Sequence, residues 1–252
     1  MEYLYHYTSI ENLALILKSG NIRFKSLDTV DDLNEGHTQD VDRYQQFVFV
    51  SCWTIDKKES IPIWNMYAKD MSGVRIALPK HPFNHYSLDD LPKEVSSEKP
   101  FKGSTIVNKL HFDNGFVFRQ DEHYLVKVIY TDDLKLLQPR LIEKISKNEM
   151  VVWSAKIGIH KEKVWKFQSE VRYRIIIHPK HGFKQATDDR FKYENDIISK
   201  YIDIPIRKDA FKEMKILLGP KQSDGNRIIV ESLIEKYNPN IKIETSKLQI
   251  RH

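Results

Sequence analysis

The order of apolar and polar residues along the chain predicts short strands separated by short helices. Residues 3–7 form a strand-like aromatic run, and Thr8–Glu11 follows it with the Ser/Thr-x-x-Glu form of a helix capping box. Residues 13–17 place their apolar side chains on one helical face, and Gly20 supplies a left-handed stop. The chain therefore opens with a strand that runs directly into a capped helix.

The remaining apolar runs extend this pattern. Residues 47–53 are apolar on both faces, which is typical of a central strand. A short helix is predicted to begin with residues 61–68, with Pro62 in its first turn, and to end at Gly73. Residues 133–163 are predicted to be mainly helical. Further strands are predicted at 22–24, 74–79, 116–118, 124–130, 172–178, 202–206, 215–218 and 241–245, and further helices between 206 and 215 and over 226–236.

These elements predict an α+β protein, because strands and helices do not alternate regularly. A chain of 252 residues suits one large domain or two small ones. We expect a single domain over 1–252, with a core over 1–180 and an irregular insertion over about 81–120. A strand-helix-strand extension is expected over about 200–252.

Composition and charge narrow the classes of function. With 40 Lys and Arg against 35 Asp and Glu, the net charge is +5, which permits nucleic-acid contact without demonstrating it. The single cysteine, Cys52, excludes an internal disulfide and a Cys-rich zinc site. No apolar run approaches the ~20 residues of a membrane span, and no secretory signal pattern opens the chain. We therefore expect a cytoplasmic protein without membrane contact.

Two common nucleotide-binding motifs are absent from the sequence. Neither G-x-G-x-x-G nor G-x-x-x-x-G-K-[ST] occurs, so two widespread nucleotide-binding folds lack support. His81 and His85 have a His-x-x-x-His spacing, but Pro82 and the loop-like surroundings favour a surface position. We expect no metal site.

One charged segment is a candidate for chemistry. Glu170 opens a predicted strand, and Arg172 and Arg174 alternate behind it. Two interpretations fit this pattern: an exposed cross-strand ion-pair ladder, which would contribute little, or a carboxylate that acts on a substrate. His6 is similarly open to a structural or a catalytic interpretation.

Other candidate residues are aromatic or hydroxylic. Trp64 and Tyr67 are three residues apart on one helical face. They suit either the core or a stacking platform for a planar ring. Ser51, buried in a β-run, suits a hydrogen bond to the backbone, although a strand-end hydroxyl can also hold a sugar hydroxyl.

Three ordered motifs resemble those of a widespread, functionally undefined bacterial family. They are an N-terminal His-Tyr-Thr-Ser, a Ser-Cys-Trp followed by Trp-x-x-Tyr-Ala, and a Trp-x-x-(Glu/Gln)-x-Glu-x-Arg. In this chain they occupy residues 6–9, 51–53 with 64–68, and 165–172. More remotely, residues 5–20 and the Gln168-Ser169-Glu170 tripeptide resemble ADP-ribosyltransferases of the DNA-targeting type and the related tRNA 2′-phosphotransferases.

This resemblance implies a fold and an activity. The fold would be a split mixed or antiparallel β-sheet core of the ADP-ribosyltransferase type, for which the extension after residue 200 is not required. The activity would be transfer of ADP-ribose from NAD, as substrate, to an acceptor such as nucleic acid or protein, in a toxin or anti-phage setting. The chief alternative is a non-catalytic sensor or regulatory module that binds nucleotide or nucleic acid. A third is nucleic-acid processing without NAD.

The resemblance also implies roles for individual residues. Glu170 would stabilise the ribose cation, His6 would hold the adenosine-side ribose, and Tyr67 would stack on nicotinamide. That stacking role could instead fall to Trp53 or Trp64. Gln168 would address the acceptor, and Arg75 or Arg172 would pair with the pyrophosphate. The remaining expected NAD contacts are Tyr7, Thr8 and Ser51.

Overall fold

The computed structural model describes most of the chain. The described residues are 2–87, 103–109, 111–112, 115–117, 124–144, 150–179, 183–187, 189–193 and 199–250. Much of the predicted irregular insertion over 81–120 lies outside them.

Helices and strands follow one another without regular alternation. The helices are α1 (Ile10–Ser19), α2 (Ile61–Tyr67), α3 (Leu134–Leu137), α4 (Lys208–Lys212) and α5 (Asp224–Tyr237). The first ten strands are β1 (Tyr3–Thr8), β2 (Asn21–Ser26), β3 (Val48–Thr54), β4 (Val74–Pro79), β5 (Tyr86–Ser87), β6 (Ser104–Thr105), β7 (His111–Phe112), β8 (Gly115–Val117), β9 (Leu125–Lys127) and β10 (Ile129–Thr131). The others are β11 (Ile142–Lys144), β12 (Met150–Val152), β13 (His160–Glu162), β14 (Glu170–Pro179), β15 (Phe183–Thr187), β16 (Arg190–Tyr193), β17 (Tyr201–Pro205), β18 (Lys215–Leu218) and β19 (Lys242–Thr245).

A large mixed sheet organises the molecule, so the predicted α+β class is confirmed. Its strand order is β19-β18-β4-β1-β3-β14-β8-β7, while β2 pairs with β3 and β17, and β9 pairs with β14. Strands β18 and β19 are parallel, and the other described pairs in this sheet are antiparallel. The strands after residue 200 are thus part of the same sheet as the N-terminal strands.

The sheet opens along one edge of β3. Strand β14 pairs with β3 over seven positions, from Glu170 opposite Thr54 to Ile176 opposite Val48. On the other edge, the described register joins β1 to β3 at Tyr5 opposite Thr54 alone. Strand β2 joins β3 further along, with Lys25 opposite Val50. Residues 51–53 of β3 therefore face a gap between β1 and β2, and this gap positions the candidate site.

The predicted central strand, β3, is confirmed, and its side chains are buried except for the half-buried Cys52. The larger hydrophobic core includes Phe24, Phe49 and Tyr173, all fully buried. A smaller cluster of Tyr7, Ile63, Trp64, Ala68 and Met71 packs around α2. Burial of apolar side chains in these two clusters fixes the strand faces that flank the gap.

The strand-to-helix corner at the N-terminus forms as predicted, but the cap lies one residue later. Ser9 Oγ accepts a hydrogen bond from the backbone N–H of Asn12 at 3.2 Å, so Ser9 and not Thr8 is the N-cap. The Thr8 hydroxyl instead accepts from the Asn12 side chain at 3.1 Å. Gly20 ends α1 with φ 67°, which is the predicted left-handed stop.

Helix α2 begins as predicted, with Pro62 in its first turn, but it ends at Tyr67 and not at Gly73. Lys69, Asp70 and Met71 have positive φ values and form a left-handed turn before β4. Gly73 is required for a different reason: a Cβ there would clash with the backbone carbonyl of Thr8.

The prediction that residues 133–163 are mainly helical is wrong. Helix α3 ends at Leu137, two residues before Pro139, which restricts the preceding residue to extended backbone. Strands β11 and β12 then pair with each other, and β13 pairs in parallel with β10. The predicted strand over 124–130 is also divided, because β9 pairs with β14 and β10 with β13.

Several further predictions of strands and helices are confirmed within the described residues. Strand β4 has the predicted bounds, and β14 covers the predicted 172–178 strand. The tail after residue 200 has the predicted succession of strand, helix, strand, helix and strand. Within the described ranges, none of the helices has the length and apolar character needed to cross a membrane.

Candidate functional site

A cavity of about 430 Å³ occupies the gap beside β3. Its walls include residues of β1, β2, β3, α1 and α2, of β13, β14 and β17, and of the segments 29–35 and 163–169. His6, Tyr67, Gln168 and Glu170 all line this cavity, although more than 160 residues separate the first from the last. The volume lies within the usual range for small-molecule sites.

His6 is held on β1 by a backbone contact across the gap. Its Nδ1 lies 2.8 Å from the carbonyl oxygen of Cys52. Because a carbonyl only accepts, Nδ1 carries the proton and Nε2 is left as an acceptor. Burial lowers the pKa of His6, and the nearby Lys25 lowers it further. The neutral ring, whose centroid lies 5.1 Å from that of Trp53, is therefore suited to positioning a hydroxyl group.

Glu170 is a buried carboxylate with two cationic partners. It is 3% exposed, and its backbone N–H donates to the Tyr130 hydroxyl at 2.8 Å. Arg172 Nε donates to Oε1 at 2.8 Å, and Lys161 Nζ donates to Oε2 at 3.1 Å. Burial alone would raise the pKa of Glu170, but Arg172 and Lys161 outweigh it and lower that pKa. Glu170 is therefore ionised at neutral pH.

Glu35 completes a buried cluster of four charges, here called the charge cluster: Glu35, Lys161, Glu170 and Arg172. Arg172 donates to Glu35, and Lys161 Nζ lies 3.6 Å from the second oxygen of Glu35. Burial opposes the charges of Lys161 and Arg172, but the two carboxylates overcome it and raise both pKa values. Two positive and two negative charges thus balance, which reduces the cost of burying them.

Gln168 and Tyr67 are joined to this cluster by a chain of hydrogen bonds. Lys161 Nζ donates to Gln168 Oε1 at 2.9 Å, and Gln168 Nε2 donates to the Tyr67 hydroxyl at 2.7 Å. Burial and the neighbouring Asp31 raise the pKa of Tyr67, so its hydroxyl stays neutral. Both ends of the Gln168 amide are therefore occupied, which suits it to positioning Tyr67 and leaves its expected acceptor role without structural support.

Four more of the predicted residues line the cavity: Tyr7, Thr8, Ser51 and Trp53. Ser51 Oγ accepts a hydrogen bond from Trp53 Nε1 at 3.0 Å, which holds the indole in place. The Tyr7 hydroxyl accepts from the backbone N–H of Ser60 at 3.3 Å.

The structure does not bring Trp64, Arg75 and Arg172 to the cavity walls. Trp64 is fully buried and donates to Glu59 at 2.9 Å, so it belongs to the core around α2 and does not offer a face to a ligand. The Arg75 guanidinium donates to the Lys57 carbonyl at 2.9 Å. Arg172 is fully buried between two carboxylates. The expectation that Arg75 or Arg172 pairs with pyrophosphate does not fit these positions.

Several cavity residues were not predicted from the sequence. The charged ones include Arg23, Lys25, Asp31, Glu35 and Lys161. Arg23 and Lys25 alternate with the buried Ile22 and Phe24 along β2, and that alternation was a signal for two cations on one strand face. Lys161 and Glu35 had no comparable signal, because long-range pairing alone brings them to Glu170.

In comparisons with known proteins, no family model, no curated protein and no solved structure matches the chain. Among the described residues, no group of three or more His, Cys, Asp or Glu side chains could hold a metal ion. The chemical character of the site therefore follows from its own residues: an ionised carboxylate, a neutral imidazole, aromatic rings and fixed hydroxyls.

Proposed function

We propose that the protein is an NAD-dependent ADP-ribosyltransferase-like enzyme. The observation that carries the proposal is that His6 and Glu170 line one cavity, at a gap between neighbouring strands of the sheet. The strand order β4-β1-β3-β14 places the imidazole on one side of β3 and the carboxylate on the other. This arrangement supports the split-sheet core that the sequence resemblance implies.

The proposed reaction breaks the bond between nicotinamide nitrogen and ribose C1′. The electron pair of this bond leaves with nicotinamide, and the ribose develops oxocarbenium character. A nucleophilic atom of the acceptor then forms a bond to C1′ and loses its proton to solvent or a base. The ionised Glu170 stabilises the developing positive charge and accepts a hydrogen bond from a ribose hydroxyl.

The other cavity residues bind and orient the dinucleotide in this proposal. His6 Nε2 accepts a hydrogen bond from a hydroxyl of the adenosine ribose, and this contact positions the reacting end. Tyr67 offers its ring to the nicotinamide, and Trp53 lines the wall beside His6. The acceptor is proposed to be a nucleic acid or a protein, and the net charge of +5 suits the former.

The proposal is tested by incubating the protein with labelled NAD and separate DNA, RNA and protein acceptors. We expect nicotinamide release and label transfer by the wild type and loss of both in Glu170→Gln. Glu231→Gln removes the same charge from an exposed position on α5 and should leave activity unchanged. Full activity of Glu170→Gln would contradict the proposal.

A second candidate is a non-catalytic module that binds a nucleotide and regulates a partner. It is favoured by one observation: both carboxylate oxygens of Glu170 already accept hydrogen bonds from Arg172 and Lys161. In this candidate those contacts persist when a ligand binds, and Glu170 has a structural role. Calorimetry with NAD, combined with the nicotinamide-release assay, separates the two, because binding without turnover supports the module.

A further inference from the structure

Among the described residues, the cations that line the cavity are Arg23, Lys25 and Lys161, and they differ in their partners. Lys161 is paired with Glu170 and Glu35 inside the charge cluster. Arg23 makes two 2.9 Å hydrogen bonds to Asp203 and lies over the ring of Tyr201. Lys25 is exposed, and within the described ranges no carboxylate lies within ion-pair distance of it. Its positive charge is therefore available to an anionic ligand.

The pairing of strands places Lys25 and Glu170 at different ends of the cavity. Lys25 lies opposite Val50 on β3, and Glu170 lies opposite Thr54 on the other edge of the same strand. Four residues of β3 separate these positions, which corresponds to about 13 Å along the strand. The carbonyl that holds His6 belongs to Cys52, midway between them.

The two ends of the cavity differ in chemical character. Near Thr54 the carboxylate of Glu170 suits a group that carries or develops positive charge. Near Val50 the cavity wall carries the ammonium group of Lys25. Arg23 lies two residues before Lys25, on the same face of β2. Asp203, the carboxylate at this end, is engaged by Arg23. Hydrogen-bond donors and an unpaired cation are the groups that recognise phosphate.

We propose that Lys25 binds a phosphate group of the ligand, so that the Val50 end of the cavity is a phosphate subsite for nucleoside diphosphates. This inference rests on the proposed function for the identity of the whole ligand, but the subsite can be tested by itself. In NAD the two phosphates join the two riboses, so the dinucleotide would bend at Lys25, with one ribose at His6 and the other at Glu170. Lys25 would then take the place of the phosphate contacts expected from Arg75 or Arg172. Because its charge favours phosphate, Lys25 makes the cavity bind nucleotides more tightly than nucleosides.

The subsite is tested by calorimetry with ADP and with adenosine at two salt concentrations. We expect Lys25→Gln to weaken ADP binding about tenfold or more, since a charge-assisted hydrogen bond is lost. Adenosine affinity should be unchanged, and the salt dependence of ADP binding should decrease. Lys25→Arg should restore most of the ADP affinity. Lys242→Gln removes the same charge from an exposed position on β19 and should bind ADP like the wild type.

The outcomes separate this inference from the proposed function. ADP binding that is absent in the wild type, or equal in the wild type and Lys25→Gln, would overturn the phosphate subsite. So would an equal loss of adenosine and ADP affinity. ADP binding that depends on Lys25, in a protein that releases no nicotinamide from NAD, would retain the subsite and overturn the transferase.

Discussion

Arg172 Nε donates to Glu170 Oε1 at 2.8 Å, from two residues further along the same strand. Both side chains are buried. Arg172 also donates a hydrogen bond to Glu35, which lies in the segment before β3. This pairing overturns the interpretation of Glu170 and Arg172 as an exposed ladder. Arg172 keeps the Glu170 carboxylate ionised at the cavity wall. It also joins the start of β14 to the segment that contains Glu35.

Loss of the Arg172 side chain should therefore lower the free energy of unfolding strongly. Arg172→Met leaves two buried carboxylates with Lys161 as their remaining partner in the charge cluster, and we expect a loss of about 3–5 kcal/mol in the free energy of unfolding. The matched control is Arg190→Met, which removes an exposed pair with Asp42 and should cost at most about 1 kcal/mol. Urea denaturation measures both variants, and equal losses would contradict the assigned cost of the buried pair.

Stability should fall as the solution becomes more acidic than pH 6.5. Burial lowers the pKa of His178 to about 4, whereas the unfolded chain binds the proton near pH 6.5. The unfolded state therefore binds more protons between these values, and stability decreases as the pH falls through that window. His178 alone accounts for a loss of up to roughly 3 kcal/mol.

This pH dependence is measured by urea denaturation at pH 7.5, 5.5 and 4.5. His178→Gln does not titrate in this range, so its stability should change less with pH than that of the wild type. Parallel pH profiles for the two proteins would show that His178 titrates normally.

The hydroxyl of Tyr67 should contribute to the stability of the protein, and its ring should contribute to NAD affinity. Tyr67→Phe keeps the ring but leaves the Gln168 amide without its partner, so we expect a loss of about 1–2 kcal/mol in stability with NAD affinity nearly unchanged. Tyr67→Ala removes the ring and should weaken NAD binding about tenfold. Calorimetry and thermal unfolding measure the two effects, and equal NAD affinity in all three proteins would argue against stacking.

The position of the helix cap is also testable. Ser9→Ala removes the hydroxyl that accepts from the Asn12 backbone and should cost about 1 kcal/mol in stability. Thr8→Val removes a hydroxyl that bonds only a side chain of Asn12 among its described partners, and a smaller loss is expected. Thermal unfolding of the two variants compares them, and a larger loss in Thr8→Val would restore the predicted capping box.

Local patterns predicted much of the fold. The β-branched and apolar run of β3, the bounds of β4 and the glycine stop of α1 follow from short-range chemistry. The prediction that residues 133–163 are mainly helical was wrong because it depended on leucines at helical spacing. Leu134 and Leu136 are exposed, and Pro139 ends the helical path. The buried Leu141 instead precedes β11, which pairs with the later strand β12.

The sequence predicted those residues of the candidate site that belong to a recognisable motif. His6 and Gln168-Ser169-Glu170 were identified from residue type and element, and the structure places them around one cavity. The roles of Arg75 and Arg172 could not be judged, because burial and partners depend on strand pairing. For the same reason Lys161 and Glu35, which fix the ionisation of Glu170, were missed.

The most direct test of the account compares NAD affinity with nicotinamide release in two variants. Glu170→Gln should bind NAD within a fewfold of the wild type and release essentially no nicotinamide, since it keeps the shape of the cavity and loses the charge. His6→Phe keeps a ring beside Trp53 and loses both hydrogen-bonding nitrogens, so it should bind NAD more weakly. Nicotinamide release by Glu170→Gln at the wild-type rate, or wild-type NAD affinity in His6→Phe, would contradict the claim that these two residues serve one ligand.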